Sequence, residues 1–128
     1  MARKKATQIR LGHLETRIMN IVWDLGEATV HNVKDAVGKG RTPAYSTVLT
    51  VMRTLEGKGY LQHEVDDRTY VYCATISRQA VRKGILGDLL ERLFEGSPAL
   101  LVNSLVEQSS MSAAELAEIK RLLKKRSK

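Results

Sequence analysis

Residues 42–73 read TPAYSTVLTVMRTLEGKGYLQHEVDDRTYVYC, and a change of period inside this stretch decides the fold. From Ala44 to Gly57 the apolar residues Val48, Val51, Met52 and Leu55 recur at i, i+3, i+4 and i+7, the stripe of a helix with one buried side. Pro43 suits the entry to that helix, because its φ is already set for the first turn. The opposite face, Ser46, Thr47, Thr50, Arg53, Thr54 and Gly57, is polar and carries no acid. After Gly59 the period falls to two. Tyr60–Val65 and Thr69–Cys73 read as strands joined by Asp66-Asp67-Arg68.

Upstream, Leu11, Leu14, Ile18, Ile21, Val22 and Leu25 repeat at helical spacing, which predicts a helix from about Gly12 to Leu25 closed by Gly26 in a left-handed conformation. Trp23 lies off that stripe and is expected to be partly buried. Thr29 is placed to cap a short second helix whose apolar side is Val30, Val33, Ala36 and Val37, ended by Gly38-Lys39-Gly40. Residues 1–75 therefore read helix, helix, helix, hairpin, which describes a winged helix-turn-helix domain, preceded by a flexible basic arm over residues 1–10.

Downstream, Ser77, Ser97-Pro98 and the capping box Ser112-Ala113-Ala114-Glu115 open three more helices. Their apolar residues include Val81, Ile85, Leu86, Leu89, Leu90, Leu93 and Phe94 in the first. Leu100, Leu101, Leu105 and Val106 follow in the second, and Leu116, Ile119, Leu122 and Leu123 in the third. Gly84 and Gly87 each weaken the first of these helices by about 1 kcal/mol relative to alanine, acceptable where another helix approaches closely. About 50 residues of short helix cannot bury such faces alone, so residues 76–128 are expected to be a helical dimerisation module completed by a two-fold partner. The fold class is mainly α with one small β-hairpin.

The 128-residue chain carries 21 Lys/Arg against 14 Asp/Glu, a net charge of +7, which favours a polyanionic partner. The excess is spread over both halves, so position says more than total charge. A recognition helix turns its N-terminal residues to base edges, here Ala44, Tyr45, Ser46, Thr47 and Thr50, with Arg53 one turn on. Short hydroxyl side chains permit close approach, and an arginine can reach guanine or a phosphate. Lys39, Arg41 and Thr42 at the helix entrance, Lys58 at its exit, Arg68 at the hairpin tip and Arg10 in the arm are placed for backbone contacts. Asp66 and Asp67 oppose the tip's approach to phosphate.

Other chemistries find little footing. His13, His31 and His63 fall in separate elements without metal-ligand spacing, so no metal and no cofactor is expected. Cys73 is the single cysteine and has no nameable base, no glycine-rich phosphate loop occurs, and the chain does not read as an enzyme. No run approaches the ~18 apolar residues of a membrane span, and the N-terminus lacks an apolar signal core, so the expected place is the cytoplasm without membrane insertion. Two other readings use the same architecture: a winged-helix regulator that senses a small ligand, and a protein-interaction module that never binds DNA.

The stretch from Pro43 to Leu61, the hairpin Asp67-Arg68-Thr69-Tyr70-Val71-Tyr72, the segment Leu11 to Trp23 and the run Leu93-Phe94-Glu95-Gly96-Ser97 resemble the penicillinase repressor family. The resemblance implies a homodimeric repressor that holds a pseudo-palindromic double-stranded operator and blocks promoter access. In β-lactam-responsive members it further implies a membrane sensor protease whose signal leads to cleavage in the dimerisation module. The aligned bond is Asn103–Ser104, where those members carry Asn followed by Phe, so Ser104 departs from the pattern. Copper-responsive members end in a Cys-x-Cys pair that this chain lacks. Many members carry arginine at the position of Thr54, whereas here it is Arg53.

Overall fold

The computed structural model describes residues 9–38, 43–108 and 110–126. The arm residues 1–8, and Lys39, Gly40, Arg41 and Thr42 at the recognition-helix entrance, lie outside the described residues. The described elements are α1 (His13–Leu25), α2 (Val30–Val37), α3 (Tyr45–Gly57), β1 (Leu61–Asp66), β2 (Thr69–Ala74), α4 (Arg78–Leu93), α5 (Pro98–Gln108) and α6 (Ala113–Arg126). They fall into two compact units, Met1–Leu86 and Gly87–Lys128.

In the first unit α1, α2 and α3 pack their apolar stripes together under the root of the hairpin. Ile18, Met19 and Val22 of α1, Val33 of α2, and Val48, Met52 and Leu55 of α3 are fully buried, together with Tyr72 of β2. Leu25 and Ala36, expected on the inward stripes, are exposed, while Met19 is buried in their place. At 100° per residue Met19 lies 60° from Val22, at the edge of the same face, whereas Leu25 shares the direction of Ile18 but is the last residue of α1, at the margin of the core.

Four of the helix N-termini, those of α2, α4, α5 and α6, are capped by the residues their sequences specify. Thr29 Oγ accepts from Asn32 N at 3.1 Å while Asn32 Oδ1 accepts from Thr29 N at 3.0 Å. Ser77 accepts from Ala80 N, Ser97 from Leu100 N, and Ser112 from Glu115 N. At α1 the cap runs the other way: Gly12 has no side chain, and Glu15 reaches back to accept from Gly12 N at 2.8 Å. Gly26 closes α1 at φ 86 and ψ −54, a positive φ suited to glycine but outside the left-handed helical well.

β1 and β2 pair antiparallel from Leu61↔Ala74 to Asp66↔Thr69. The connection is thus two residues, Asp67 and Arg68, and not three, because Asp66 still belongs to the ladder. Both central residues have positive φ, 51° and 69°, as a tight primed turn between twisted strands demands. Ala28, between α1 and α2, exchanges both backbone bonds with Tyr72, which adds a short third rung to the ribbon's root.

Trp23 fixes α1 to the start of α4: its Nε1 donates to the Ile76 carbonyl at 2.9 Å, and the Arg78 guanidinium lies 5.3 Å from its ring centre. Arg78 also binds Asp24 at 2.7 Å. Gly84 does mark a close approach, but the neighbour is Ile9 and not a helix: a Cβ at Gly84 would stand 2.6 Å from Ile9 Cδ1. Gly87 faces open space.

In the second unit no residue of α5 or α6 is buried. Large apolar side chains stay in solvent, among them Leu93 at 70% exposure, Leu123 at 64%, and Leu105, Leu116 and Ile119.

Candidate nucleic-acid interface

The buried stripe of α3 turns its other side outward. Ala44, Tyr45, Ser46, Thr47, Thr50, Arg53 and Thr54 are all exposed, whereas Val48, Met52 and Leu55 behind them are sealed in the core. The helix begins at Tyr45, one residue later than expected, with Ala44 as N-cap and no side chain capping the first amides. Tyr45 is steadied by His31 of α2, their ring centres 4.7 Å apart. The two helices of the helix-turn-helix therefore also meet through an aromatic contact on the exposed side, and His31 belongs to this face.

The hairpin has two chemically distinct faces, set by the alternation of its strands. One carries His63, Val65, Tyr70 and Tyr72, with His63↔Tyr72 and Val65↔Tyr70 as opposed pairs. The other carries Glu64, Asp66, Val71 and Cys73 and, with Glu27, lines a hollow of about 330 Å³. Three carboxylates make that second face repel a polyanion.

Cations divide by commitment. Arg10, Arg53 and Arg68 are exposed and make no salt bridge among the described residues. Lys58 is different: its ammonium donates to Glu15 Oε1 at 2.9 Å, to Glu15 Oε2 at 3.0 Å and to the Arg10 carbonyl at 3.1 Å. Its three donors are used inside the protein. Lys58 ties the end of α3 to the start of α1 and adds charge to the region without a free donor. Burial works to raise the Glu15 carboxyl, but the Gly12 amide and then the bond and charge of Lys58 outweigh it, and its pKa lies below the ordinary value.

A group that sequence reasoning did not assemble joins α3 to the wing. His63 Nδ1 stands 2.8 and 2.9 Å from the two carboxylate oxygens of Glu56, and its ring stacks on Tyr70 at 3.9 Å and 9°. Tyr72 is fully buried beside it, its hydroxyl without a hydrogen-bond partner among the described residues. Burial pushes the Tyr72 phenol up, the Glu56 carboxylate adds to this, and the Arg53 guanidinium opposes it. The alternation Leu61, His63, Val65 was the available signal, since it puts His63 on the inward side of β1.

In the second unit the expected interface residues Leu89, Leu90, Phe94 and Leu101 are half-buried within the chain, and Ile85, at the end of the first unit, is exposed like most of the others. Asn103 and Ser104 lie in the middle of α5. Among the described residues no group of three or more His, Cys, Asp or Glu could hold a metal ion, and no helix is long and apolar enough to cross a membrane.

The family model described as penicillinase repressor matches residues 11–125. The methicillin resistance regulatory protein MecI of Mammaliicoccus sciuri is 22% identical over 112 residues, covering 88% of this chain and 91% of that one. The transcriptional regulator BlaI of Mycobacterium tuberculosis is 35% identical over 82 residues, 63% of this chain and 59% of that protein. A MarR variant from E. coli solved with operator DNA superimposes with a TM-score of 0.52 at 14% identity, covering 95% of this chain and 79% of that one. That likeness shows the shared winged-helix fold. A match running from Leu11 almost to the end of α6 spans both units, and by it this chain belongs to the penicillinase repressor family.

Proposed function

We propose that this chain is a transcriptional repressor that binds a pseudo-palindromic operator as a cytoplasmic homodimer and blocks promoter access. The observation that carries the reading is the outward face of α3, where hydroxyls and Arg53 are exposed without an acid among them and sit on a rigid buried stripe. In this reading Ala44, Tyr45, Ser46, Thr47 and Thr50 approach base edges in the major groove and Arg53 supplies a base or phosphate contact. Arg68 and Arg10 hold the backbone, with Arg41 and Thr42 at the helix entrance. Lys58 supports the helix from behind.

The second unit supplies the two-fold. The exposed stripes of α4, α5 and α6, with Ile85, Leu93, Leu105, Leu116, Ile119 and Leu123, are complementary to a second copy, and Leu89, Leu90, Phe94 and Leu101 would complete burial there. A sensor protease acting at Asn103–Ser104 fits this scheme only if α5 first opens, because a bond in mid-helix has its backbone groups committed.

Replacing both Arg53→Glu and Arg68→Glu should abolish binding to DNA selected by the wild-type protein, with far-UV circular dichroism unchanged. If the dimer neutralises roughly 8 phosphates, wild-type affinity should fall ~10³-fold or more between about 50 and 200 mM salt. Unchanged binding by the double variant, or a flat salt response, would contradict the reading and favour a protein-interaction module.

A further inference from the structure

We propose that Glu56, His63 and Tyr70 form a clasp that holds the wing at a set angle to the recognition helix, and so decides where Arg68 meets the DNA backbone. The inference rests on the DNA-binding reading above and assigns positioning roles to residues which that reading leaves without one.

A two-stranded ribbon is only marginally stable by itself. Here its root is secured by the backbone bonds between Ala28 and Tyr72 and by buried Leu61. Its outer half is not: Val65 is 61% exposed and Tyr70 43% exposed. Between root and tip, among the described residues, one side-chain hydrogen bond connects wing to recognition helix, from His63 to Glu56. The stack of His63 on Tyr70 passes that restraint to the second strand, so both strands are held by one carboxylate of α3.

The lever arm makes the restraint matter. From His63 to the turn the ribbon rises roughly 10 Å at about 3.3 Å per residue, so a tilt of about 15° moves the tip by roughly 3 Å. That is enough to break a hydrogen bond to a phosphate. Glu56 is the one acid of α3, and its pairing with His63 also turns its charge from the DNA-facing side toward the wing.

The test is a double-mutant cycle in the full-length chain, read on a duplex recovered from random-sequence DNA by the wild-type protein. His63→Phe keeps an aromatic ring on Tyr70 and removes the bond; Glu56→Ala removes its other half and serves should His63→Phe fail to fold. Each is expected to weaken binding about tenfold and to make the salt slope shallower by about one per wing, as Arg68→Ala does. In the Arg68→Ala background both substitutions should then have almost no further effect. Equal losses in both backgrounds would mean general damage to the fold and would overturn the proposal, as would wild-type affinity in either single variant or in Arg68→Ala. Recovery of no duplex by the wild-type protein would contradict the repressor reading itself, a result distinct from these.

Discussion

Lys58 Nζ stands 2.9 Å from Glu15 Oε1 and 3.1 Å from the Arg10 carbonyl, joining the end of the recognition helix to the start of α1. The pair makes stability depend on pH in a definite direction. The Glu15 pKa is lowered in the fold, so its contribution is fully present above the ordinary carboxylate range and is lost as pH falls through the folded value. The side chains are 37% and 16% exposed, and solvent screening leaves about 0.5–1 kcal/mol at neutral pH. Thermal unfolding across an acid series should show Glu15→Ala less stable than wild type at neutral pH, with the difference closing in acid.

The same contact separates Lys58 from the free arginines. Arg53→Ala should reduce operator affinity by about 1–3 kcal/mol and relax preference at one position of each half-site. Lys58→Met, which removes a screened charge and no free donor, should change affinity less than about threefold. Fluorescence anisotropy on the selected duplex and its single-base variants checks both.

Arg68 holds φ 69 at the tip of the wing, a conformation that favours glycine by about 1 kcal/mol. Arg68→Gly is therefore expected to raise the stability of the free protein by roughly 0.5–1 kcal/mol while weakening DNA binding. Urea unfolding and the binding assay should move in opposite senses. The turn would then retain arginine for contact at the expense of local strain.

Leu93 and Leu105 are exposed in the single chain, so a charge there has no intrachain core to disrupt. Leu93→Glu with Leu105→Glu should convert a dimer into a monomer of one 14.3 kDa chain in sedimentation equilibrium, with the N-terminal unit still folded. Operator affinity should fall at least a hundredfold as the two half-sites are no longer held together, an effective-concentration loss of about that size.

Much of this was legible in residues 42–73. The switch of period after Gly59 located the hairpin, and Thr29, Ser77, Ser97 and Ser112 announced their caps because capping is a local interaction. The turn was misjudged by one residue because Asp66 looks like turn chemistry, while its pairing with Thr69 depends on register across the ribbon. The partners of Lys58 and His63 were out of reach for a similar reason. Glu15 is 43 residues from Lys58, and the approach of Glu56 to His63 needs the angle between α3 and β1, which no spacing encodes.

The central claim is that α3 reads DNA as one half of a two-fold pair. Selecting bound duplexes from a random pool and mapping protection on the enriched sequence tests it most directly. The account predicts two inverted half-sites, their centres about one helical turn or a multiple apart, with Arg53→Ala relaxing one position in each. A lone asymmetric site, or no enriched sequence, would contradict it.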